Sequence, residues 1–237
     1  MKLKRLLSVL DVCECTADPE LDIRDISFDS RTTQPGDLFA AVCGYESDGH
    51  RFIGAAAERG AAVVLCQRKP EVEIPYILVA DSRLALSRIC CEFFDNPSRE
   101  LTMIGVTGTN GKTTVTTLIK HMLEQCLHTK VGLIGTNANV IGDEVLHTEH
   151  TTPDAYELQK LLRRMVDAGC THAVMEVSSH SLVLHRVEGI RCLRRVTSAS
   201  STRTTIGHTS CSSTPNARCT PIPPNATTPT LWPRTSA

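Results

Sequence analysis

The sequence has no long apolar run, and aromatic residues make up only 4% of its 237 residues. No stretch approaches the roughly 18 apolar residues that a membrane-spanning helix needs. The N-terminal segment reaches Asp11 and Glu14 without the apolar core that a signal peptide contains. We therefore predict a cytoplasmic protein that does not insert into a membrane.

Acidic residues are missing from the last part of the chain, because all 26 of them lie at or before Glu188. Residues 1–190 carry 19 basic and 26 acidic side chains, a net charge of −7, and the remainder carries six arginines. An acidic globular part lacks the basic surface that nucleic-acid binding requires. We expect no nucleic-acid partner, and the sequence does not indicate an oligomeric state.

The 11 cysteines lack the spacing of zinc ligands. Cys13 and Cys15 are separated by one residue and Cys90 and Cys91 are adjacent, whereas paired ligands in structural zinc sites are separated by about two to four residues. The other cysteines of the acidic part stand singly in apolar surroundings, where cysteine behaves as a small hydrophobic residue. Buried or partly buried thiols are the favoured interpretation.

A predicted phosphate-binding loop follows a short apolar strand at residues 101–106. Glycines in the loop let backbone N–H groups face an anion, Lys112 supplies a charge for the β- and γ-phosphates, and Thr113 is placed to ligate Mg²⁺. Helical apolar spacing at 115–127 would put the phosphates at a helix N-terminus. Val106 stands where the general pattern has its first glycine, so a purely structural turn is the alternative. The predicted loop residues are Gly108, Thr109, Asn110, Gly111, Lys112, Thr113 and Thr114.

Alternating strand and helix patterns predict an α/β protein in two parts. Residues 1–97 are predicted to form a small α/β domain that ends at a proline, because the residue before proline avoids helical conformation. Residues 98–190 repeat strand and helix at a spacing typical of a parallel, doubly wound sheet. Ligands of such sheets gather beyond the carboxyl ends of the strands. Glu176, Ser178 and His180 fall at that end of the strand predicted at 173–177.

Residues 191–237 differ in composition from the rest of the chain. They contain no Asp, Glu, Lys, Gln, Phe or Tyr, and Ser, Thr and Pro make up 24 of the 47 residues. We predict disorder, because such a segment buries too little apolar surface to offset chain entropy. A genuine Ser/Thr/Pro-rich linker and translation in a shifted reading frame are both open interpretations. Six arginines, three cysteines and a single Trp232 favour the second.

Four segments, in this order and at this spacing, resemble the Mur ligase family. They are Asp29-Ser30-Arg31 with residues 35–40, the loop 108–114, Thr151-Thr152-Pro153, and residues 175–187. The resemblance covers residues 20–190 and implies a UDP-binding N-terminal domain at 1–97, followed by a partial P-loop, parallel-sheet ATPase domain at 98–190. It also implies a ligase that adds the third amino acid to UDP-N-acetylmuramoyl-L-alanyl-D-glutamate in peptidoglycan synthesis.

The resemblance also implies roles for individual residues. The loop from Gly108 to Thr114 would bind ATP, with Lys112 and Glu176 as the catalytic residues and with Thr113 and Glu176 as the Mg²⁺ ligands. Leu184 stands where some members of the family have a polar contact to substrate. His180 would either orient other groups or be structural. The uridine nucleotide would be contacted by Ser30, Tyr45, Glu46 and Ser47, and the sugar-peptide by Thr151, Thr152, Ser178 and Arg186.

The implied reaction is ATP-dependent amide formation between two small-molecule substrates. The carboxylate of the UDP-sugar dipeptide attacks the γ-phosphate to give an acyl phosphate, which the amine of the incoming amino acid displaces. The family also uses a second metal site and an amino-acid-binding C-terminal domain, neither of which is found here. We therefore expect a truncated and inactive ligase. The alternatives are a non-catalytic nucleotide-binding or UDP-sugar-peptide-binding protein and a folylpolyglutamate synthase-like ligase. The sequence does not distinguish meso-diaminopimelate from L-lysine as the amino acid.

Overall fold

Two predominantly parallel sheets, each flanked by helices, organise the part of the chain that the structure describes. The computed structural model describes residues 1–44, 47–148 and 151–190, together with the backbone of residues 192–197. All of these described residues belong to one compact unit. The α/β class predicted from the sequence is confirmed.

The first sheet has five strands, and its edge strand β1 runs antiparallel to β5 while the other neighbours are parallel. The spatial order is β1-β5-β4-β3-β2. The strands are β1 (Val12–Cys15), β2 (Ile26–Ser27), β3 (Leu38–Ala40), β4 (Val63–Cys66) and β5 (Tyr76–Val79). The helices are α1 (Leu3–Leu7), α2 (Ile53–Glu58) and α3 (Ser82–Phe93), with 3₁₀ turns at Gly49–Phe52 and Pro97–Arg99.

Helix α3 begins where it does because Asp81 caps it. The Asp81 carboxylate accepts hydrogen bonds from the N–H groups of Arg83 and Leu84, and these donors have no partner within the helix itself. The buried face of α3 carries Leu86 and Ile89 into the core of the first sheet. The same helix also packs against a helix of the second sheet.

The second sheet has the order β11-β6-β10-β7-β8-β9. Its inner strands are parallel, and β8 and β9 add an antiparallel hairpin at one edge. The strands are β6 (Thr102–Thr107), β7 (Val131–Ile134), β8 (Asn139–Ile141), β9 (Glu144–Leu146), β10 (His172–Glu176) and β11 (Cys192–Thr197). The helices are α4 (Lys112–Leu127), α5 (Ala155–Asp167) and α6 (Ser179–Val183).

The structure contains several elements that the sequence patterns did not predict. They are helices α1 and α6, strand β1, the β8–β9 hairpin and strand β11. The last of these lies in the predicted tail: the backbone of β11 pairs in parallel with β6, so regular structure continues beyond residue 190. The remaining tail residues, 198–237, lie outside the described residues. The domain limits at residues 97 and 190 stay predictions.

The two sheets are joined through α3 and α5, which pack against each other. Tyr156 at the start of α5 donates a hydrogen bond from Oη to Asp25 Oδ1 at 2.8 Å. Its ring also contacts Phe94 edge-on at 5.2 Å between centroids. An aromatic ring buries a large apolar area, so this contact holds the second sheet's helix against the first sheet's core.

Three thiols lie within this packed interior. Cys66 is buried in the first sheet, and Cys90 and Cys91 are buried on α3. Burial raises the pKa of Cys66 to about 11 and raises the pKa of Cys90 as well, because the thiolate would lose its hydration. These cysteines and Cys170 fit the prediction of buried thiols, whereas Cys15, Cys43 and Cys126 are exposed and do not.

Among the described residues, no helix is both long enough and apolar enough to cross a membrane. The cytoplasmic location of the protein stays a prediction.

The packing of β7 against α5 gives a test of the fold. A Cβ placed on Gly132 would lie 2.3 Å from Met165 Sδ, and Met165 is fully buried. We expect Gly132→Ala to lower the free energy of unfolding by about 1–3 kcal/mol through overpacking, measured by urea denaturation. Gly54→Ala in α2 is the matched control, because its Cβ would meet only Val72 Cγ1 at 3.9 Å. Equal stability of both variants and the parent would contradict this packing.

Candidate functional site

The phosphate-binding loop lies between β6 and α4, as the sequence pattern predicts. Gly111 is the residue before α4 and has a φ of +79°, a conformation that side chains disfavour and glycine tolerates. The first N–H groups of α4 have no carbonyl partner within the helix and carry the positive end of its dipole. Lys112 Nζ lies 2.9 Å from the Gly108 carbonyl oxygen. The loop therefore presents backbone donors and an ammonium group to the same space.

Glu176 is brought to this loop by strand pairing. In the parallel pair of β10 and β6, Glu176 lies opposite Val106, and the N–H of Val177 donates to the Val106 carbonyl at 2.8 Å. The loop begins two residues after Val106. The carboxyl end of β10 and the phosphate loop consequently share one edge of the sheet, where the sequence analysis expected Glu176 to be.

The Glu176 carboxylate is 1% exposed and is held by Thr136. The Thr136 N–H donates to Glu176 Oε1 at 3.0 Å, and Thr136 Oγ1 lies 3.1 Å from Oε2. Thr136 Oγ1 is also 3.1 Å from Thr151 Oγ1. A hydroxyl has a single hydrogen. If Thr136 donates it to the carboxylate, Thr151 can donate in turn to Thr136.

The surroundings of Glu176 fit a divalent cation. Among the described residues Glu176 takes part in no ion pair, although a buried carboxylate is costly unless a cation or several donors compensate it. Carboxylate and hydroxyl oxygens are the ligands that Mg²⁺ prefers. Glu176 and the hydroxyl of Thr113 at the start of α4 are the residues that could hold it. Gly135 keeps this space open, because a Cβ there would lie 2.6 Å from Glu176 Oε1.

Thr152 and Ser178 are tied to the end of β10. Thr152 is 2% exposed and donates from Oγ1 to the Glu176 carbonyl at 2.9 Å. Ser178 caps α6, its Oγ accepting from the N–H of Ser181 at 3.1 Å. Both hydroxyls therefore have internal partners.

A cleft of about 540 Å³ lies beside these residues. Its wall includes three arginines, Arg31, Arg83 and Arg186, and two carboxylates, Asp29 and Asp154. Arg31 pairs with Asp29 at 2.7 Å, and this hydrogen bond lowers the pKa of Asp29. Arg186 donates from Nη1 to the Thr152 carbonyl at 3.0 Å. Guanidinium groups suit phosphates and carboxylates, so the cleft fits an anionic ligand.

The predicted substrate residues are distributed unevenly around this cleft. Ser30, Ser47 and Arg186 line it, and so does Leu184. His180 is exposed on α6. Tyr45 and Glu46 lie outside the described residues. The roles of all these side chains stay predictions.

Sequence analysis missed several residues of the site, among them Arg83 and Thr136. Arg83 lines the cleft and donates from Nη2 to the Cys43 carbonyl. Thr136 holds Glu176, and its position just after β7 was a usable signal, since ligand groups gather where parallel strands end. Nothing local distinguishes Arg83 from any other arginine near a helix start.

Cys43, Asp48 and His50 come together elsewhere, with potential ligand atoms within 4.8 Å of one another. His50 Nε2 accepts the Gln67 N–H at 2.9 Å, so the ring proton lies on Nδ1, which is 2.7 Å from Asp48 Oδ1. A protonated nitrogen cannot ligate a metal. The described contacts therefore tie His50 to Asp48 and Gln67 and do not form a metal site.

Two family models match successive parts of the chain. The one described as "Mur ligase family, catalytic domain" matches residues 22–93, and the one described as "Mur ligase middle domain" matches residues 106–207. The chain belongs to the Mur ligase family. The resemblance stated from its motifs is thereby confirmed.

Similar proteins agree with this assignment. A protein from Chlorobium phaeobacteroides named UDP-N-acetylmuramoyl-L-alanyl-D-glutamate–2,6-diaminopimelate ligase is 48% identical to this chain over 196 residues, which cover 80% of this chain and 38% of that protein. A protein of the same name from Clostridium tetani is 46% identical over 195 residues, which cover 80% of this chain and 40% of that protein. The chain thus spans about 40% of the length of the curated relatives that it matches.

Solved structures give the same fold. A structure of a UDP-N-acetylmuramoyl-L-alanyl-D-glutamate–2,6-diaminopimelate ligase superposes with a TM-score of 0.71 at 27% identity, covering 88% of this Mur ligase chain and 42% of its own. A UDP-N-acetylmuramoylalanyl-D-glutamyl-2,6-diaminopimelate–D-alanyl-D-alanyl ligase from Acinetobacter baumannii superposes with a TM-score of 0.53 at 23% identity, covering 75% and 36%. At that identity the second comparison supports the fold alone.

The buried carboxylate gives a test of the cation site. We expect Glu176→Gln to keep the parent's free energy of unfolding within about 1 kcal/mol without ligand, because the Gln side chain has the shape of Glu and can still accept the Thr136 N–H. The same change should abolish the stabilisation by Mg²⁺ with nucleotide, measured by thermal denaturation with and without both. Glu71→Gln at an exposed position is the control. A variant that is less stable than the parent by more than that amount, or that still responds fully to Mg²⁺, would contradict this view of Glu176.

Proposed function

We propose that this chain supplies the ATP site and the UDP-sugar-peptide cleft of a ligase of peptidoglycan precursor synthesis. The reaction would join an amino acid to UDP-N-acetylmuramoyl-L-alanyl-D-glutamate. The observation that carries the proposal is the register of β10 and β6, in which Glu176 lies opposite Val106 and so beside the loop that contains Lys112. The anion-binding cleft supports it.

In the proposed reaction Lys112 and the N–H groups at the start of α4 bind and neutralise the phosphates of ATP. Mg²⁺, held by Thr113 and Glu176, would shield the charge on the transferred phosphoryl group. Arg186 would orient an anionic group of the UDP-sugar peptide. The substrate carboxylate would take the γ-phosphoryl group to form an acyl phosphate, and the amine would then displace phosphate.

The sequence did not distinguish meso-diaminopimelate from L-lysine as the incoming amino acid, and of these two we propose 2,6-diaminopimelate. Support comes from the relatives, which are named diaminopimelate ligases. They share 44–48% identity with this chain over about 195 residues.

Substitution of Lys112 tests the nucleotide site directly. We expect Lys112→Ala to weaken binding of ATP with Mg²⁺ by about 10–100-fold, because hydrogen bonds to charged groups contribute about 1.5–3 kcal/mol. Isothermal titration calorimetry would measure it. Lys160→Ala is a matched control, since Lys160 is an exposed lysine on α5, outside the loop. Unchanged affinity in Lys112→Ala, or an equal loss in the control, would contradict the assignment.

Release of ADP from ATP distinguishes a ligase from a protein that only binds the substrates. The sites proposed above are for ATP and for UDP-N-acetylmuramoyl-L-alanyl-D-glutamate, and we propose that the described residues by themselves bind both without consuming them. We therefore expect saturable binding of both and no ADP release when diaminopimelate is added, measured by a coupled ADP assay. ADP release that depends on all three substrates would instead show that these residues suffice for catalysis.

A further inference from the structure

Two small side chains of α3 contact the turn that carries Arg186. Ser87 Oγ donates to the His185 carbonyl at 2.5 Å, and Cys91 Sγ donates to the Glu188 carbonyl at 3.4 Å. Residues four apart share one face of a helix. Ser87 and Cys91 are 2% and 6% exposed, so both contacts are shielded from water. Helix α3 belongs to the first sheet's side of the molecule, and the turn follows α6 on the second.

The turn that includes Arg186 has an unusual backbone. His185 has a φ of +52°, a conformation that costs energy for a residue with a side chain. Its geometry lets the Arg186 N–H reach the Ser181 carbonyl at 2.9 Å. Gly189 also has a positive φ, and a Cβ there would lie 2.7 Å from Cys91 Sγ. The turn is therefore seated closely on α3, whose contacts add to the local hydrogen bonds that already stabilise the left-handed residue after α6.

The His185 carbonyl belongs to the peptide bond that leads into Arg186, so its position fixes the backbone of Arg186. With this backbone position, the Arg186 guanidinium reaches the Thr152 carbonyl and lines the cleft. Ser87 lines the same cleft. Burial raises the pKa of the Cys91 thiol to about 12, so this thiol stays protonated and remains a donor. Loss of the Ser87 hydroxyl would remove its hydrogen bond to the His185 carbonyl in the interior.

We propose that Ser87, supported by Cys91, is a positioning residue that holds Arg186 toward the anionic part of the substrate from across the cleft. The inference rests on the proposed function, because it takes Arg186 as a contact for a phosphate or carboxylate of the UDP-sugar peptide. Ser87 acts through the backbone of the turn. Its removal should therefore matter for the ligand only while Arg186 is present.

A double-mutant cycle tests this dependence with the full chain. Calorimetry would give the affinity for UDP-N-acetylmuramoyl-L-alanyl-D-glutamate of the parent, Ser87→Ala, Arg186→Ala and the double variant. We expect Ser87→Ala to weaken binding about 5–10-fold in the parent, as for one lost hydrogen bond, and less than about 2-fold in the Arg186→Ala background. The same factor in both backgrounds would overturn the proposal.

Ser82→Ala is the matched control. Ser82 is a fully buried serine of the same helix, and its hydroxyl donates to Gln67 Oε1 at 3.0 Å without touching the turn. It should lose comparable stability and keep the parent's affinity. A loss of affinity in Ser82→Ala equal to that in Ser87→Ala would attribute the effect to general destabilisation and overturn the proposal.

A ligand-free measurement separates this proposal from the proposed function. Hydrogen exchange of residues 184–190 should be at least about tenfold faster in Ser87→Ala than in Ser82→Ala, because the turn loses its support. If the parent does not bind the UDP-sugar dipeptide, the proposed function fails and exchange alone decides on the positioning. If the Arg186 amide is equally protected from hydrogen exchange in both variants, the proposed positioning role of Ser87 is overturned.

Discussion

The site depends on one backbone register, the parallel pairing of β10 with β6. It sets Glu176 opposite Val106, and the chain after Val106 becomes the phosphate loop. A slip of one residue would turn Glu176 to the other face of the sheet, away from Thr136 and the loop. The pairing of β7 with β10 then adds Gly135 and Thr136 at the same edge. The geometry of the candidate site is thus a consequence of hydrogen bonding between strands.

Two features of the site carry an energetic cost that the rest of the fold must offset. One is a buried carboxylate whose described contacts come from a single threonine, and the other is the left-handed conformation of His185. Conflicts of this kind are expected where function is located. The packing of α3 against α5, with Tyr156 bonded to Asp25, provides a stable frame around both.

The sequence predicted those parts of the molecule in which a local pattern determines local structure. The strands predicted at 101–106 and 173–177 lie within one residue of Thr102–Thr107 and His172–Glu176 in the structure, and the glycines and Lys112 identified the phosphate loop. Strand β1 and the β8–β9 hairpin are too short for periodicity to reveal. The contact of Ser87 with His185 joins residues 98 positions apart, and that of Thr136 with Glu176 joins residues 40 apart. Such partners are chosen by tertiary packing, which no single-chain pattern contains.

The reaction of individual cysteines with a thiol reagent can report which part of this chain unfolds. Cys66, Cys90 and Cys91 are buried, while Cys15, Cys43 and Cys126 are exposed. Thiolates are the reactive species, and burial keeps the first three protonated. A thiol-directed reagent should therefore label the exposed group at once and the buried group only as fast as the structure opens. Because Cys66 lies in the first sheet and Cys91 faces the Arg186 turn, their separate labelling rates would show which side of the molecule opens first.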